Sequence, residues 1–251
     1  MDDPGDPAQS TPTGNPSTSP HLADPRALTI LTTEHWNLLT ARSLVYNEAF
    51  ARSGMFLSFL SASLVVLGLI SAATGFSDAF LTVAAAFLAL DLFIGFATLG
   101  RIVAASDEDL RYLQGMNRLR HAYLEMVPGV ERYFITSQYD DFGSVAAFYG
   151  PTGSGVIRGV LHGFTTAPGM IGVICAAVAG GLGAAVALLM THDAMVGGAA
   201  GVIAFIVVFA GGSSAVVWQV GGVMRRMDVM FPAPPDAVRK EPNKALGRRP
   251  D

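Results

Sequence analysis

Apolar residues gather in four runs, at roughly 56–76, 79–100, 168–190 and 195–218, and the polar residues gather between them. Each run comes close to the ~20 residues a helix needs to cross a hydrocarbon core about 30 Å thick. None alternates with the period of two that a membrane β-strand shows, and an open sheet in lipid would leave its edge groups without partners. The pattern therefore predicts four spanning helices. Only Ser77 and Asp78 part the first two runs, and only Thr191, His192 and Asp193 part the last two. Two transmembrane helical hairpins are the expected arrangement.

Weaker periodicity continues outside the runs. Trp36, Leu39, Ser43, Tyr46 and Phe50 recur at alternating steps of three and four ahead of the first run, and Tyr112, Met116, Leu119, Tyr123 and Met126 do the same after the second. Both are one-sided helical stripes, expected to be buried. No breaker stands between Arg101 and Val127, so the second run is predicted to continue as one helix until Pro128 and Gly129 stop it, an extension of about 40 Å. Residues 33–55 are of similar length, and the two stripes can close on each other as an antiparallel stalk or fold into a compact helical lobe. Val156, Ile157, Val160, Leu161 and Phe164, with Arg158 opposite, suit either a short surface helix or a simple lead-in to the third run.

Composition agrees with lipid as the solvent for much of the chain: 51% of residues are hydrophobic and 14% charged. The distribution of charge then sets an expected orientation. All sixteen Lys and Arg lie in the N-terminal, central or C-terminal polar segments, and neither short turn holds one. Arg42, Arg52, Arg101, Arg225 and Arg226 thus place those flanks, and both termini, on the cytoplasmic side of an inner (plasma) membrane. The organisation expected is a disordered tail over 1–27, a cytoplasmic amphipathic helix over 28–55, one hairpin over 56–100, a cytoplasmic helix and loop over 101–167, a second hairpin over 168–220 and a disordered tail over 221–251. The fold class is all-α membrane protein with a cytoplasmic helical stalk or lobe.

The net charge of −4 and the lack of a basic stripe interleaved with aromatics give no support for nucleic-acid binding. A lone cysteine, Cys175, allows no intrachain disulfide or cysteine metal site. The five histidines show no metal-ligand spacing, and no metal or cofactor is expected. Gly150, Gly153 and Gly155 lack the preceding strand and the Lys of a phosphate loop. The acidic groups Asp107, Glu108 and Asp109 and Asp140 and Asp141 read as solvated surface. Fourteen arginines against two lysines in an Ala/Gly-rich chain point to a bacterial genome of high GC content.

Asp91 stands apart, because it sits in the middle of the second run, where an acid costs roughly 2.5–3.5 kcal/mol on insertion scales. Ser63, Ser213 and Ser214 fall at comparable depth. Two readings fit: a proton or small-cation site on a permeation path, or a protonated Asp that joins helices through a hydroxyl. Small residues at steps of four, Gly172, Ala176, Gly180 and Ala184, then Gly197 and Gly201, mark a helix-packing face within the second hairpin or between subunits.

The segment from Gly115 to Glu125 puts Arg118, Arg120, His121 and Glu125 on one helix as a cytoplasmic polar patch, with Glu48 a partner for one of its arginines or the whole a site for a partner or anionic lipid. With Asn47, Glu48, Arg52 and Met55, this segment resembles a group of small actinobacterial integral membrane proteins with four predicted transmembrane helices. The resemblance covers about residues 33–220; it implies the topology and brings no activity, substrate or cofactor. The function expected is non-enzymatic: a structural, scaffolding or regulatory membrane protein that associates with itself or with another membrane protein. The alternative is a small transporter or channel subunit that uses Asp91.

Overall fold

The structure is a computed structural model that describes residues 20–149 and 166–234. Among these residues it is all-helical. Four long helices, α1 (Ala27–Thr74), α2 (Asp78–Met126), α4 (Ala167–Thr191) and α5 (Ala194–Arg226), are joined by a short α3 (Phe142–Ala146) and by 3-10 turns at Pro20–Ala23, Glu131–Tyr133 and Ala147–Tyr149. All four long helices are apolar enough over a sufficient length to cross a membrane. The expected helix around Val156–Phe164 and the loop of Gly150, Gly153 and Gly155 fall outside the described residues.

The two short turns follow from helix-end chemistry. Gly75 ends α1 with φ +62°, a backbone setting that L side chains rarely adopt, and its N–H returns to the Ser71 carbonyl at 2.8 Å. The Ser77 hydroxyl caps α2 by accepting from the Phe80 N–H. His192 plays the part of Gly75 after α4 with φ 52°, and Asp193 caps α5 by accepting from the Met195 and Val196 N–H groups at 2.8 and 3.4 Å. The turns lie side by side, with His192 Nδ1 3.6 Å from Asp78 Oδ1.

Cross-helix bonds give the register of α1 on α2. Ser63 meets Asp91, Glu48 meets Arg101, Arg42 meets Asp109 and Leu31 meets Tyr123, so positions fall along α1 as they rise along α2. The line that α1 turns inward contains Leu38, Arg42, Val45, Ala49, Phe56, Leu60, Ser63 and Leu67. This corrects the stripe expected from sequence. Trp36, Leu39, Tyr46 and Phe50 are exposed, at 67, 40, 37 and 63%, and the buried line runs one residue ahead of them. A shift of one residue is about 100° around a helix. It arises because Arg42 takes an inward position that hydrophobic counting gives to an apolar residue. The stripe on α2 keeps its expected face, with Met116 and Leu119 buried and Tyr112, Tyr123 and Met126 half-buried.

The core sits where three helices cross. Phe56 and Cys175 are fully buried against Gly95, where an added Cβ would lie 2.7 Å from Cys175 Sγ and 3.0 Å from Phe56 Cζ. A second cluster, Leu67, Phe80, Leu81, Ala84 and Ala185, fills the end near the turns, and a third, Leu113, Met116 and Val145, fills the distal end. α4 packs on both α2 and α5. α5 is the least buried long helix; among its described side chains and glycines only Gly197 and Gly201 are buried.

Candidate functional site

The distal ends of α1 and α2 are held by charges. Asp109, with 2% of its side chain exposed, accepts from Arg42 Nε, from the Tyr46 hydroxyl at 2.9 Å and from the Tyr149 hydroxyl. The Phe148 ring covers the Arg42 guanidinium 4.4 Å from its carbon. A carboxylate so enclosed is tolerable only with its oxygens occupied, and here three donors converge on it. Burial, then the Asp109 contact, pushes the Tyr149 hydroxyl far above the ordinary phenol range, so Tyr149 stays a donor. The expectation that Asp109 is solvated surface is thus overturned.

Glu48 does not meet the arginines of the 115–125 segment. It is held between Arg101 Nη2 at 2.7 Å and Arg52 Nε at 3.0 Å, and Arg101 also reaches Glu108 at 2.8 Å. Hydrogen bonds from Arg101, then Arg52, hold the Glu48 carboxyl down at about 2.

Asp140 was expected on the surface as well, yet it is fully buried. Its oxygens accept from the Met230 N–H at 3.0 Å, the Phe231 N–H at 2.8 Å and Arg118 Nε at 2.7 Å. Its own N–H donates to the Phe231 carbonyl at 3.1 Å. Asp141 adds a bond from the Ala233 N–H, and Gln114 and Arg118 both donate to the Asp228 carbonyl. The Phe231 ring stacks on His121 at 3.9 Å. Residues 227–234 therefore form a strap that folds back from α5 onto α2. Burial raises the Asp140 carboxyl, but the Met230 N–H, Arg118 and the Phe231 N–H outweigh it, so the group titrates below the usual carboxylate range. The tail expected from residue 221 is, over 221–234, the end of a helix and then this strap.

The polar patch divides in two. Arg118 and His121 face the strap, with His121 Nε2 3.4 Å from Glu125 Oε1. Arg120 turns to the seam with α1, donating to Asn117 Oδ1 at 2.6 Å, while Asn117 holds the Tyr139 carbonyl at 2.7 Å.

Within the apolar part, Asp91 is fully buried and accepts from the Ser63 hydroxyl at 3.1 Å, which brings two of the four depth-matched residues together. Among the described residues Asp91 Oδ2 has no hydrogen-bond partner. Ser213 and Ser214 are elsewhere, exposed on α5 and bonded to the Phe209 and Gly211 carbonyls of their own helix. Of the small residues, Gly180 and Gly201 touch backbone to backbone: a Cβ on Gly201 would lie 2.9 Å from the Gly180 oxygen and 3.1 Å from Ala184 Cβ. Gly197 meets Leu188, Ala176 is fully buried, and Gly172 has open space around it.

The sequence reading missed Arg42, Tyr46, Asp109 and Tyr149, and the pairing of Asp140 with the strap. One signal existed: Arg42 falls in line with Leu38 and Val45 at helical spacing, which puts a cation in an apolar row. Among the described residues no group of three or more His, Cys, Asp or Glu is placed to hold a metal. What the arrangement can do chemically is fix helices and segments against one another. Comparison with protein-family models, with curated proteins and with solved structures found no match.

Proposed function

We propose that the chain is a non-enzymatic, multi-pass inner-membrane protein whose cytoplasmic helical lobe is carried by two transmembrane hairpins, and that its role is structural, scaffolding or regulatory. The observation that carries this reading is the use made of the buried acids. Asp109 and Asp140 fill their oxygens with donors from other segments, and Asp91 reaches across to α1. Asp109 and Asp140, so committed, join parts of the chain and are not free to act on a substrate, while Asp91 commits one oxygen to Ser63. The absence of Lys and Arg from the turns at 75–77 and 192–193 supports an orientation with both turns outside. Self-association is supported by α5, where, among the described residues, nothing stands within 4 Å of a Cβ added at Gly198, Gly211 or Gly212, on a helix that few neighbours cover. Small residues on an open face let a second helix approach closely in lipid. Cross-linking in native membranes is expected to recover self-contacts through residues 101–149 or through α5; repeated failure in both places refutes the reading.

The unpartnered Oδ2 of Asp91 favours a second reading, a small transporter or channel subunit with a proton site at that oxygen. Flux in proteoliposomes separates the two. On the scaffold reading, wild type and Asp91→Asn show the same background flux, and the variant loses a modest part of its stability, on the order of 0.6–1.7 kcal/mol for one bond between helices in lipid. Flux present in wild type and lost in Asp91→Asn establishes the transporter.

A further inference from the structure

The stripe of Trp36, Leu39, Ser43, Tyr46 and Phe50 has the spacing of a packed face, yet every one of these residues is exposed in the single chain. At about 100° per residue the same side of α1 continues as Gly54, Leu57, Ser61, Leu64 and Gly68, which are exposed as well. These positions fall within a sector of about 80° around the axis, over roughly 48 Å of helix. Among the described residues nothing stands within 4 Å of a Cβ added at Gly54 or Gly68. The side that meets α2 is a different one, about 100° away. α1 thus carries two long faces, one packed and one open.

Lipid covers such a face only inside the bilayer. Trp36 to Phe50 share their stretch with Glu34, Arg42, Glu48 and Arg52, the charged residues of α1, so on the membrane reading above water surrounds them. With about 150–250 Å² per aromatic side chain, the exposed parts of Trp36, Tyr46 and Phe50 alone offer roughly 250–400 Å². Leu39 and the face within the apolar run extend this toward the ~800 Å² per partner of a standard interface. Charge then selects the occupant. Arg42 turns inward to Asp109, and Glu34, Glu48 and Arg52 lie roughly opposite the stripe, so two copies of this face meet without like charges. Two copies that cross the bilayer in the same sense, a clause that rests on the membrane reading, hold Trp36 at one height and match each residue to its counterpart. Gly54, Ser61 and Gly68, at steps of seven, let the apolar halves approach closely. The aromatic part is set before a partner arrives: the Tyr46 hydroxyl donates to Asp109 at 2.9 Å and its ring stacks on Phe50 at 6.4 Å.

We propose that this face of α1 binds the same face of a second copy of the chain, in a parallel two-fold pair that runs from Trp36 to Gly68. The pair buries the stripe whose spacing one chain leaves unused, and it does so on a helix other than α5.

The test is disulfide cross-linking of the full chain in native membranes. Cys175 is fully buried, so an added cysteine is the thiol within reach of its counterpart. Ser43→Cys and Ser61→Cys, one on each half of the face, are expected to give dimers of twice the chain mass under mild oxidant. Asn37→Cys, exposed on the other side of α1, is expected to stay monomeric. Trp36→Ala is expected to weaken the Ser43→Cys dimer about tenfold or more, the scale of a central aromatic anchor. Leu39→Glu and Leu39→Lys are each expected to lose the dimer and, expressed together, to recover it, because position 39 meets position 39 only in a parallel pair. Dimers at Ser43→Cys and Ser61→Cys no stronger than at Asn37→Cys overturn the proposal. So do adducts of Ser43→Cys with a protein of another mass, and dimers that form only between a Ser43→Cys copy and a Ser61→Cys copy, the mark of an antiparallel pair. Dimers at Ser213→Cys on α5 with none on α1 keep the self-association proposed above and overturn this face alone. A reporter fused near Asp78 that is active in the cytosol sinks the orientation and leaves dimers between like positions as support for the pair.

Discussion

The seam between α1 and α2 and the seam between α4 and α5 solve the same problem with opposite chemistry. In the second, helices touch through what they lack: Gly180 and Gly201 bring backbone against backbone, and Gly183 faces Ala200 and Ala204. In the first, beyond the level of Arg101, helices touch through side chains that are costly to bury, Arg42 and Asp109 above all. Dispersion between close backbones is short in reach and works where lipid replaces water. An enclosed ion pair is worth little against an apolar alternative, yet losing one partner is severe. The ionic seam therefore specifies one register of α1 on α2, while the glycine seam specifies closeness.

The largest way to break the contrast is at Asp109. Asp109→Ala strands the Arg42 guanidinium under Phe148 and frees the Tyr46 and Tyr149 hydroxyls. The expected loss is about 3–5 kcal/mol, the range for one partner removed from a buried pair. Hydrogen exchange is expected to rise over 33–50 and 105–120 and over 142–149, with α4 and α5 unchanged. Protection that stays at wild-type levels over those segments would mean the ion pair does not set the register.

A smaller effect is expected at the strap, and it depends on pH. The Asp140 carboxyl titrates lower in the folded chain than in the unfolded one, so its contribution to docking is complete above the unfolded value of about 4. It is lost as pH falls through the lowered folded value. Asp140→Asn removes the charge at every pH and is expected to cost about 1.5–3 kcal/mol of strap docking, the range for a hydrogen bond to a charged group. Limited proteolysis of 227–234 in wild type should rise only in acid, and in Asp140→Asn already at neutral pH. Equal cleavage of the two at neutral pH contradicts the assignment of Asp140 as the anchor.

The same contrast explains which parts were legible in the sequence. Four apolar helices are written in composition and length, and their ends in local capping at Gly75, Ser77, His192 and Asp193. Gly180 and Gly201 were legible for a similar reason: a spacing of four within one helix is a local signal. Asp109 and Asp140 were not. Whether an acid is solvated depends on a partner far along the chain, sixty-seven residues away for Arg42 and about ninety for Met230. In isolation each reads as an ordinary surface charge. The misplaced stripe on α1 has the same origin, since placing Arg42 inward requires knowing that Asp109 is waiting there.

The smallest effect is expected within the glycine seam, and it sharpens the comparison because it has its own control. An alanine Cβ at Gly201 would stand 2.9 Å from the Gly180 oxygen, which is backbone and cannot turn aside, so α4 and α5 must separate by some tenths of an ångström. Overpacking of this kind costs about 1–3 kcal/mol. Gly172 lies on the same helix as Gly180 at the predicted spacing, yet nothing stands within 4 Å of an added Cβ. Gly172→Ala should therefore stay within about 0.5 kcal/mol of wild type or gain slightly in helix propensity. Unfolding in detergent that ranks Gly201→Ala well below Gly172→Ala places the contact at the Gly180 and Gly201 crossing. Equal losses would mean that the whole spacing-of-four face is packed, against α5 or against a second copy of the chain.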